Sequence, residues 1–383
     1  MSSSRESLAP EFHSHPPAHP IPERGIPKVP IDARLRFQRT LEHEGIAELQ
    51  NETIVPAFEK RDFLPGVDIA MTMQQKPNRA GKPNEDAGIF DQRTGLVLVA
   101  DGLGSGGGNP DEASRSAVVS MRDTIRKYWD TIVNDAERNY PIGRLMEKLT
   151  ANQKLRESPE EIPFYDERRD FDWALEQDQS GDMVRKAALL LLATLYANDE
   201  VRHTKAKTTI AGGLLHQTPD GRLFLIGVSF GDSVVLERHG QVNEEDSLLR
   251  YLLQKNLINE ERVNELRKDP EQTFVLGRKE RNYEALRRTM VNALGDESND
   301  ATPDIFFHEI TSDCILASDG VADRVENKKT REPDTERLFG LRAGRDLKGW
   351  TDSIRVTAMQ AKDADKPPDD VVTIVVHKRQ TLS

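Results

Sequence analysis

The sequence predicts an α+β fold with antiparallel sheets. Short apolar segments of strand character come in consecutive groups, the strongest helical segments lie between these groups, and no internal repeat is present. A parallel sheet would instead alternate strand and helix regularly, because parallel strands need a crossover helix between them. The order of strands, two helices, strands, helices and strands therefore favours antiparallel pairing.

The first group of strands starts after residue 66. Residues 67–73 alternate as a half-buried strand does, and residues 96–100 form the continuous apolar run of a strand buried on both faces. A helix is predicted to follow, with Asn109 as its N-cap, Pro110 in the first turn and two acids near the positive end of the helix dipole. We expect this helix to end near Trp129.

The rest of the chain predicts a long helix, more strands and a helical region. Residues 182–198 have the strongest helical pattern in the sequence. Residues 247–268 predict two short helices, the second with Asn259 as N-cap and two glutamates behind it. Further strands are predicted at residues 208–215, 223–229, 234–238, 305–310, 314–317 and 371–377.

The pattern indicates one main domain with polar additions. Residues 1–30 are rich in Pro, Ser and His and are expected to be a disordered tail. Residues 31–65 carry apolar side chains at helical spacing and are expected to form an N-terminal helical extension. The main domain is expected to cover residues 66–383, with the charged, weakly periodic residues 137–180 as an insertion.

Charge and composition exclude several classes of protein. The 383 residues include 65 acidic and 53 basic side chains, for a formal net charge of −12, and one Cys. A single Cys excludes an intramolecular disulfide and a Cys-rich zinc site, and it suits a reducing compartment, so a cytoplasmic location is predicted. The acidic balance argues against nucleic-acid binding, since phosphate contacts need basic surface. Because the chain has no apolar run of about 18 residues, no membrane association is expected.

Acidic residues stand at the ends of the predicted strands. They are Asp101, Asp232 and Asp319, which follow apolar runs beside a glycine, and Glu85, Asp86 and Asp370, which precede or begin strands. A carboxylate at the end of a core strand is costly unless it is paired, solvated or bound to a metal. If these strands end at one side of a sheet, the acids repel each other unless a cation lies among them, so the set predicts a cation site.

The type of ligand indicates which cation is expected. The chain offers carboxylate oxygens, without a Cys pair or a His-x-x-x-His pattern. An oxygen-only, anionic site prefers Mg²⁺ or Mn²⁺ over zinc. Two such ions about 3.5–4 Å apart can activate a water and neutralise a phosphoryl group, so no Cys or Ser nucleophile is required.

The same acids belong to an ordered series of motifs. The motifs are NEDA at 84–87, VADGLGSGGG at 99–108, TTIAGGLL at 208–215, GVSFGDS at 227–233, EDSLLRYLLQKNLINEE at 245–261, VNALGD at 291–296, LASDGVAD at 316–323 and DDVVTIVV at 369–376. In this order and spacing, the chain resembles the metal-dependent protein phosphatases of type 2C, the PPM family, and is most similar to bacterial members. The resemblance covers roughly residues 66–378.

The resemblance implies a central β-sandwich of two antiparallel sheets flanked by helices, with two Mg²⁺ or Mn²⁺ ions at one end. The residues that match ligands are Asp101, Asp319 and Asp370 for the first ion, and Asp101, the carbonyl of Gly102 and Glu85 for the second, with Asp86 matching the acid that holds metal-bound waters. Bacterial members often show a third, weaker ion, whose ligands match Asp232, Asp319 and Asp323. The central catalytic positions are then Asp86, Asp101 and Asp319, and residues 243–292 match the flap beside the active site.

The chain departs from the family where the substrate phosphate is bound. The family usually has an Arg five residues before the Asp of the first motif, and this sequence has Gly81 there. Lys82 or Arg79 is expected to bind the phosphate instead, Lys as a point charge rather than a bidentate fork. Some eukaryotic members have a His as candidate general acid at the position of Leu103. Bacterial members commonly have Leu there, as this sequence does.

The function implied by the resemblance is a Mg²⁺- or Mn²⁺-dependent protein serine/threonine phosphatase with a role in signalling. It would hydrolyse phosphoserine and phosphothreonine in protein substrates by attack of a metal-bridging hydroxide. The Gly at position 81 keeps a second reading open, a weak or inactive pseudophosphatase that acts as a binding or regulatory module. A two-metal nuclease conflicts with the acidic charge, and a nucleotide-phosphate loop at 102–108 lacks the Gly-Lys-Ser/Thr ending of a P-loop. The sequence does not indicate an oligomeric state.

Overall fold

The structure is a computed structural model of the whole chain. The residues that it describes are 46–50, 54–77, 82–104, 108–134, 173–244, 246–269, 272–276, 279–296, 303–328, 330, 332–361 and 368–379. The predicted tail at 1–30 lies outside these residues, as does most of the predicted insertion at 137–180. Within the described part, no helix is both long and apolar enough to cross a lipid bilayer.

Two antiparallel sheets, each with six strands among the described residues, form the centre of the fold. The first sheet has the spatial order β1 (Ile46–Gln50), β4 (Asp86–Asp91), β5 (Leu96–Leu103), β6 (Lys207–Gln217), β7 (Leu223–Phe230) and β12 (Asp304–Ile310). The second has the order β2 (Ile54–Leu64), β3 (Val67–Gln74), β14 (Val371–Lys378), β13 (Asp313–Ala317), β8 (Val234–Glu237) and β9 (Gly240–Gln241). Hydrophobic runs such as Leu96–Ala100 are fully buried because both faces of each sheet are covered.

The sheets pack face to face with helices outside, which confirms the predicted α-β-β-α order. Apolar side chains of both sheets, among them Val97, Met71 and Leu316, form the cluster between the layers. Helices α1 (Pro110–Ile132) and α2 (Asp182–His203) cover the outer face of the first sheet. On the outer face of the second sheet lie α6 (Asp319–Ala322), α7 (Thr335–Gly340) and α8 (Leu347–Gln360).

A smaller unit, the flap segment (residues 246–292), projects from the sandwich. It contains α3 (Leu248–Gln254), α4 (Glu260–Lys268), the hairpin of β10 (Thr273–Leu276) and β11 (Lys279–Asn282), and α5 (Tyr283–Arg288). The two short helices predicted over 247–268 are confirmed, and Asn259 accepts the cap hydrogen bond from the N–H of Arg262 at 2.9 Å. The segment has its own apolar cluster, including Leu252 and Leu286, so it packs as a unit beside the sandwich.

The prediction of a helical extension over residues 31–65 is wrong for its second half. Strand β1 pairs with β4 in the first sheet, and β2 pairs with β3 in the second. The spacing of apolar residues there fits a helix, but each segment gains backbone partners along a sheet edge, and tertiary pairing overrides local propensity. The two sheets therefore begin before residue 66, and residues 31–45 lie outside the described part of the chain.

Candidate metal centre

Three aspartates from three strand ends meet at one end of the sandwich. One carboxylate oxygen each from Asp101, Asp232 and Asp319 lies within 4.8 Å of the others. Asp101 stands near the end of β5, Asp232 lies between β7 and β8 where the chain passes from the first sheet to the second, and Asp319 begins α6 after β13. The side chains are half-buried. The predicted convergence of these acids is therefore present in the described part of the molecule.

The backbone around Asp101 is fixed from both sides. Asp101 lies opposite Asp86 on β4 and opposite Thr209 on β6, and the hydroxyl of Thr208 donates to its carbonyl at 2.7 Å. The next residue has no room for a side chain, because a Cβ at Gly102 would lie 2.1 Å from the carbonyl oxygen of Pro110. The turn into α1 therefore packs directly on the end of β5. The backbone from which the Asp101 carboxylate extends is thus held in place.

Asp86 is buried below this cluster. Its side chain is only 2% exposed, and its carboxylate accepts a hydrogen bond from the hydroxyl of Ser318 at 2.6 Å. Burial, together with the nearby carboxylates of Asp370 and Asp319, raises the pKa of Asp86 well above its usual value, against the lowering effect of Ser318. Ser318 in turn accepts from the N–H of Val372 at 3.2 Å, so this serine joins the ends of the two central strands of the second sheet.

The electrostatics of Asp101 indicate which kind of ligand the cluster fits. Burial raises the pKa of Asp101 well above its usual value, and the nearby charges of Asp86, Asp319 and Asp232 and a hydrogen bond with Asp319 act in the same direction. Acids held this close repel unless they carry a proton or share a positive ion. The donors are all carboxylate oxygens, so the residues present fit a hard divalent cation such as Mg²⁺ or Mn²⁺.

Asp370 takes part through the backbone of its neighbours. Its two carboxylate oxygens accept from the N–H of Lys76 and of Glu85, each at 2.7 Å. Burial raises the pKa of Asp370, and these two hydrogen bonds oppose the shift. The carboxylate thus holds the loop between β3 and β4 against the start of β14, and it places the backbone of Glu85 next to Asp86.

Lys76 is the residue at this centre that the sequence did not reveal. Its ammonium lies 2.6 Å from Asp369 Oδ1 and 3.4 Å from Glu85 Oε2. Burial works to lower the pKa of Lys76, but the hydrogen bond with Asp369 and the charges of Asp370 and Glu85 raise it overall. The lysine follows strand β3 without any motif, and its partner Asp369 is 293 residues away, so only the fold brings them together.

Of the two residues predicted to bind the substrate phosphate, Lys82 is among the described residues. Lys82 is exposed, and the contact that involves it is its backbone carbonyl, which accepts from the amide of Gln75 at 2.5 Å. Arg79 and Gly81 lie outside the described residues. A phosphate-binding role for either cation stays a prediction.

Asp323, predicted as a ligand of the third ion, has a cationic partner already. The guanidinium of Arg287, from the flap segment, lies 2.9 Å from Asp323 Oδ1. The same guanidinium lies 3.2 Å from Glu326. Asp323 is thus held in an ion pair one helical turn away from Asp319, while Asp232 and Asp319 lie in the aspartate cluster.

Asp246 is a half-buried acid that the sequence did not single out. It accepts from the N–H of Gly231 and from the amide of Asn292, both at 3.1 Å, and so fixes the turn that carries Asp232. Burial raises the pKa of Asp246 to about 7. The residue belongs to the flap segment, which is therefore tied directly to the turn between β7 and β8.

Replacing Asp246 by Asn should increase the stability of the protein relative to wild type as pH rises. An acid whose pKa is raised by folding keeps a proton that the unfolded chain has lost, so its contribution to the free energy of unfolding falls between about pH 4 and pH 7. Asn keeps the side-chain oxygen that accepts both hydrogen bonds, and it has no charge to bury. Denaturant unfolding of both proteins at pH 5 and pH 8 measures the effect.

The difference in unfolding free energy, Asp246→Asn minus wild type, is expected to increase between these two pH values. Asp199, whose side chain is 72% exposed, provides the control, and Asp199→Asn should show no such increase. An equal difference at both pH values would contradict a raised pKa at Asp246.

The chain is similar to several solved structures of known proteins. No family model matches the chain, and no curated protein matches its sequence. The serine/threonine phosphatase PstP/Ppp of Mycobacterium tuberculosis is 16% identical, with 82% of this chain and 99% of that one covered at a TM-score of 0.44. The PPM Ser-Thr phosphatase MsPP of Mycobacterium smegmatis is also 16% identical, with coverage of 85% and 99% and a TM-score of 0.43. The serine/threonine phosphatase Stp1 of Staphylococcus aureus is 14% identical, with coverage of 86% and 97% and a TM-score of 0.44.

The strand order and the three aspartates at the end of the two sheets are features of this molecule itself. The three solved structures named above are each described as a serine/threonine phosphatase, one of them as PPM.

Proposed function

We propose that the protein is a Mg²⁺- or Mn²⁺-dependent phosphatase that hydrolyses phosphoserine and phosphothreonine in protein substrates. The observation that carries the proposal is the convergence of Asp101, Asp232 and Asp319 within 4.8 Å at the end of a two-sheet sandwich. The motif resemblance supports the same function, since these acids are the positions that match metal ligands. Divalent cations at this centre would supply Lewis-acid activation of water and neutralise the charge on a phosphoryl group.

The chain's own residues hold the donors in place. Asp101 and Asp319 come from opposite sheets and would share a cation between them, with Asp370 and Glu85 beside them. Ser318 orients the buried carboxylate of Asp86 through its 2.6 Å hydrogen bond. Preorganised acids of this kind need no rearrangement when a cation enters. Relief of their mutual repulsion then contributes to the binding affinity for the cation.

Lys76 is the cation that we place next to the substrate phosphate, in the role expected for Lys82 or Arg79. Its side chain is 25% exposed, and its ammonium is paired with Asp369 and Glu85 at the edge of the centre. A lysine here acts as a point charge with three donors, so it could bind an anion in addition to Asp369 and Glu85. This makes Lys76 a stronger candidate than the exposed Lys82.

Replacing Lys76 by Met should raise the KM for a phosphopeptide by about tenfold, because a charge-assisted hydrogen bond is lost. Lys76→Arg should recover most of the loss, and Lys82→Met should change KM less than about twofold. Steady-state kinetics with Mn²⁺ give KM, and calorimetric titration checks that Mn²⁺ still binds. If Lys82→Met has the larger effect on KM, the assignment of Lys76 is refuted.

A pseudophosphatase remains the second candidate, and one observation favours it. Two of the predicted ligands are already paired with cationic side chains, Glu85 with Lys76 and Asp323 with Arg287. A protein of this kind would use the same fold as a binding or regulatory module.

The deciding experiment compares turnover with metal binding in the full-length protein. We expect Mn²⁺-dependent hydrolysis of p-nitrophenyl phosphate and of phosphoserine and phosphothreonine peptides, abolished by EDTA and restored by excess Mn²⁺. Calorimetry should show at least two bound ions. Two tightly bound ions without hydrolysis would support the pseudophosphatase, and the absence of both binding and hydrolysis would refute the metal-dependent phosphatase.

A further inference from the structure

We propose that Arg287 is an internal counter-ion that holds the flap segment against the metal centre and competes with a third divalent cation for Asp323. The proposal rests on the proposed metal centre and concerns how the flap segment responds to it. A third cation at Asp323 would then need this ion pair to open.

Arg287 joins two parts of the molecule that have separate apolar clusters. The residue lies on α5, in the flap segment, and its side chain is 10% exposed. Its guanidinium contacts Asp323 at 2.9 Å and Glu326 at 3.2 Å, two acids that follow β13 in the sandwich, and Glu284 of its own helix at 4.0 Å. The two acceptors in the sandwich are about as buried as Arg287 itself, at 11% and 8% exposed. Removing one partner of a pair so well shielded from water is costly, because it leaves an uncompensated charge in a buried place.

The ion pair lies next to the proposed metal centre. The N–H of Asp323 donates to the carbonyl of Asp319 at 2.8 Å, so the two acids lie one helical turn apart. In α-helical geometry such a pair faces the same side. Asp319 belongs to the aspartate cluster, whereas Asp323 points its charge at Arg287. One helical turn thus carries two carboxylates with different surroundings, Asp319 in the aspartate cluster and Asp323 at the guanidinium.

These contacts make flap position and cation binding mutually dependent. A divalent ion bound by Asp319 and Asp323 would repel the guanidinium and take its acceptor, so Arg287 would keep only Glu326 and Glu284. The flap segment stays tied to the turn at Asp232 through Asp246, so opening of the Arg287 ion pair, which we call the latch, would loosen α5 from the sandwich. By linkage, removing the guanidinium must raise the affinity of this cation site by the same factor that the cation weakens the latch.

The test uses Arg287→Gln, with Arg287→Lys as the variant that retains the charge. Arg262→Gln is the matched control, since it removes an arginine from the same segment whose ion pair, with Glu265 at 2.6 Å, stays within α4. Calorimetric titration with Mn²⁺ measures the affinity of each site, and hydrogen exchange measures the protection of residues 283–288. Neither readout depends on phosphatase activity.

Arg287→Gln should tighten the weakest Mn²⁺ site by about tenfold, which corresponds to about 1.4 kcal/mol, and leave the tighter sites unchanged. Its residues 283–288 should exchange faster without metal, and excess Mn²⁺ should speed exchange there in wild type. Arg287→Lys and Arg262→Gln should behave as wild type does. If Arg287→Gln changes neither the weakest affinity nor the exchange, or if wild type has no weak site, the latch is refuted. Absence of the tighter sites would instead refute the proposed metal centre.

Discussion

Replacing Asp101 by Asn should reduce phosphatase activity by at least about a hundredfold and weaken the binding of more than one Mn²⁺ ion. Asp101 is the acid on which the cluster converges, with Asp232 and Asp319 within 4.8 Å and Asp86 opposite it in the sheet. An amide oxygen carries no charge, so the site loses a ligand that two cations would share. Activity assays and Mn²⁺ titration measure the two losses.

The same substitution should stabilise the protein when no metal is present. Burial and neighbouring acids raise the pKa of Asp101, so at neutral pH the folded state either keeps a proton against its tendency to leave or holds an unfavourable charge. Asn removes this cost, and thermal unfolding in EDTA should give a higher Tm than wild type. Asp199→Asn, on the exposed face of α2, should change neither activity nor Tm. Loss of activity together with a lower Tm in EDTA would indicate a folding defect and contradict the assignment.

Replacing Gly320 by Ala should have the second large effect, by separating two of the proposed ligands. A Cβ at Gly320 would lie 1.9 Å from the backbone carbonyl oxygen of Asp370. A backbone atom cannot turn aside as a side chain can, so either α6 with Asp319 or the start of β14 with Asp370 has to move. Overpacking of this kind costs about 1–3 kcal/mol or more.

We therefore expect Gly320→Ala to lower both the Tm and the affinity for Mn²⁺, although it changes no charged group. Gly340→Ala is the control, because a Cβ at Gly340, at the end of α7, would meet no atom within 4 Å. It should keep the Tm within about 2 °C of wild type. Unchanged Mn²⁺ affinity in a folded Gly320→Ala protein would contradict the close approach of α6 and β14.

The sequence predicted the strands and the acids well for a physical reason. Continuous apolar runs such as 96–100 have to be buried on both faces, and an aspartate at the end of such a run needs a partner. These are local signals, and they gave Asp101, Asp232 and Asp319 before the fold was known. The Asn109 boundary was found in the same way, since α1 begins at Pro110, although Asn109 makes no side-chain cap hydrogen bond.

What the sequence did not reveal depends on contacts between distant residues. The role inferred for Lys76 depends on its ion pair with Asp369, and that of Arg287 depends on its ion pair with Asp323. No local sequence pattern links the members of either pair. Strand β2 was mistaken for helix because its pairing with β3 decides its conformation, and the spacing of its apolar residues fits either structure. The assignment of the metal ligands came from motif resemblance, and it stays a prediction residue by residue.

The passage of the chain from β7 through Asp232 to β8 has a mechanical consequence. The proposed ligands are divided between the two layers, with Asp101 on one sheet and Asp319 following a strand of the other. Any cation that they share would link the two layers. Heat, denaturant or a force on the strand edges can slide one layer over the other. Such a displacement would then also change the affinity for the ion. The occupancy of the centre would report the alignment of the whole sandwich.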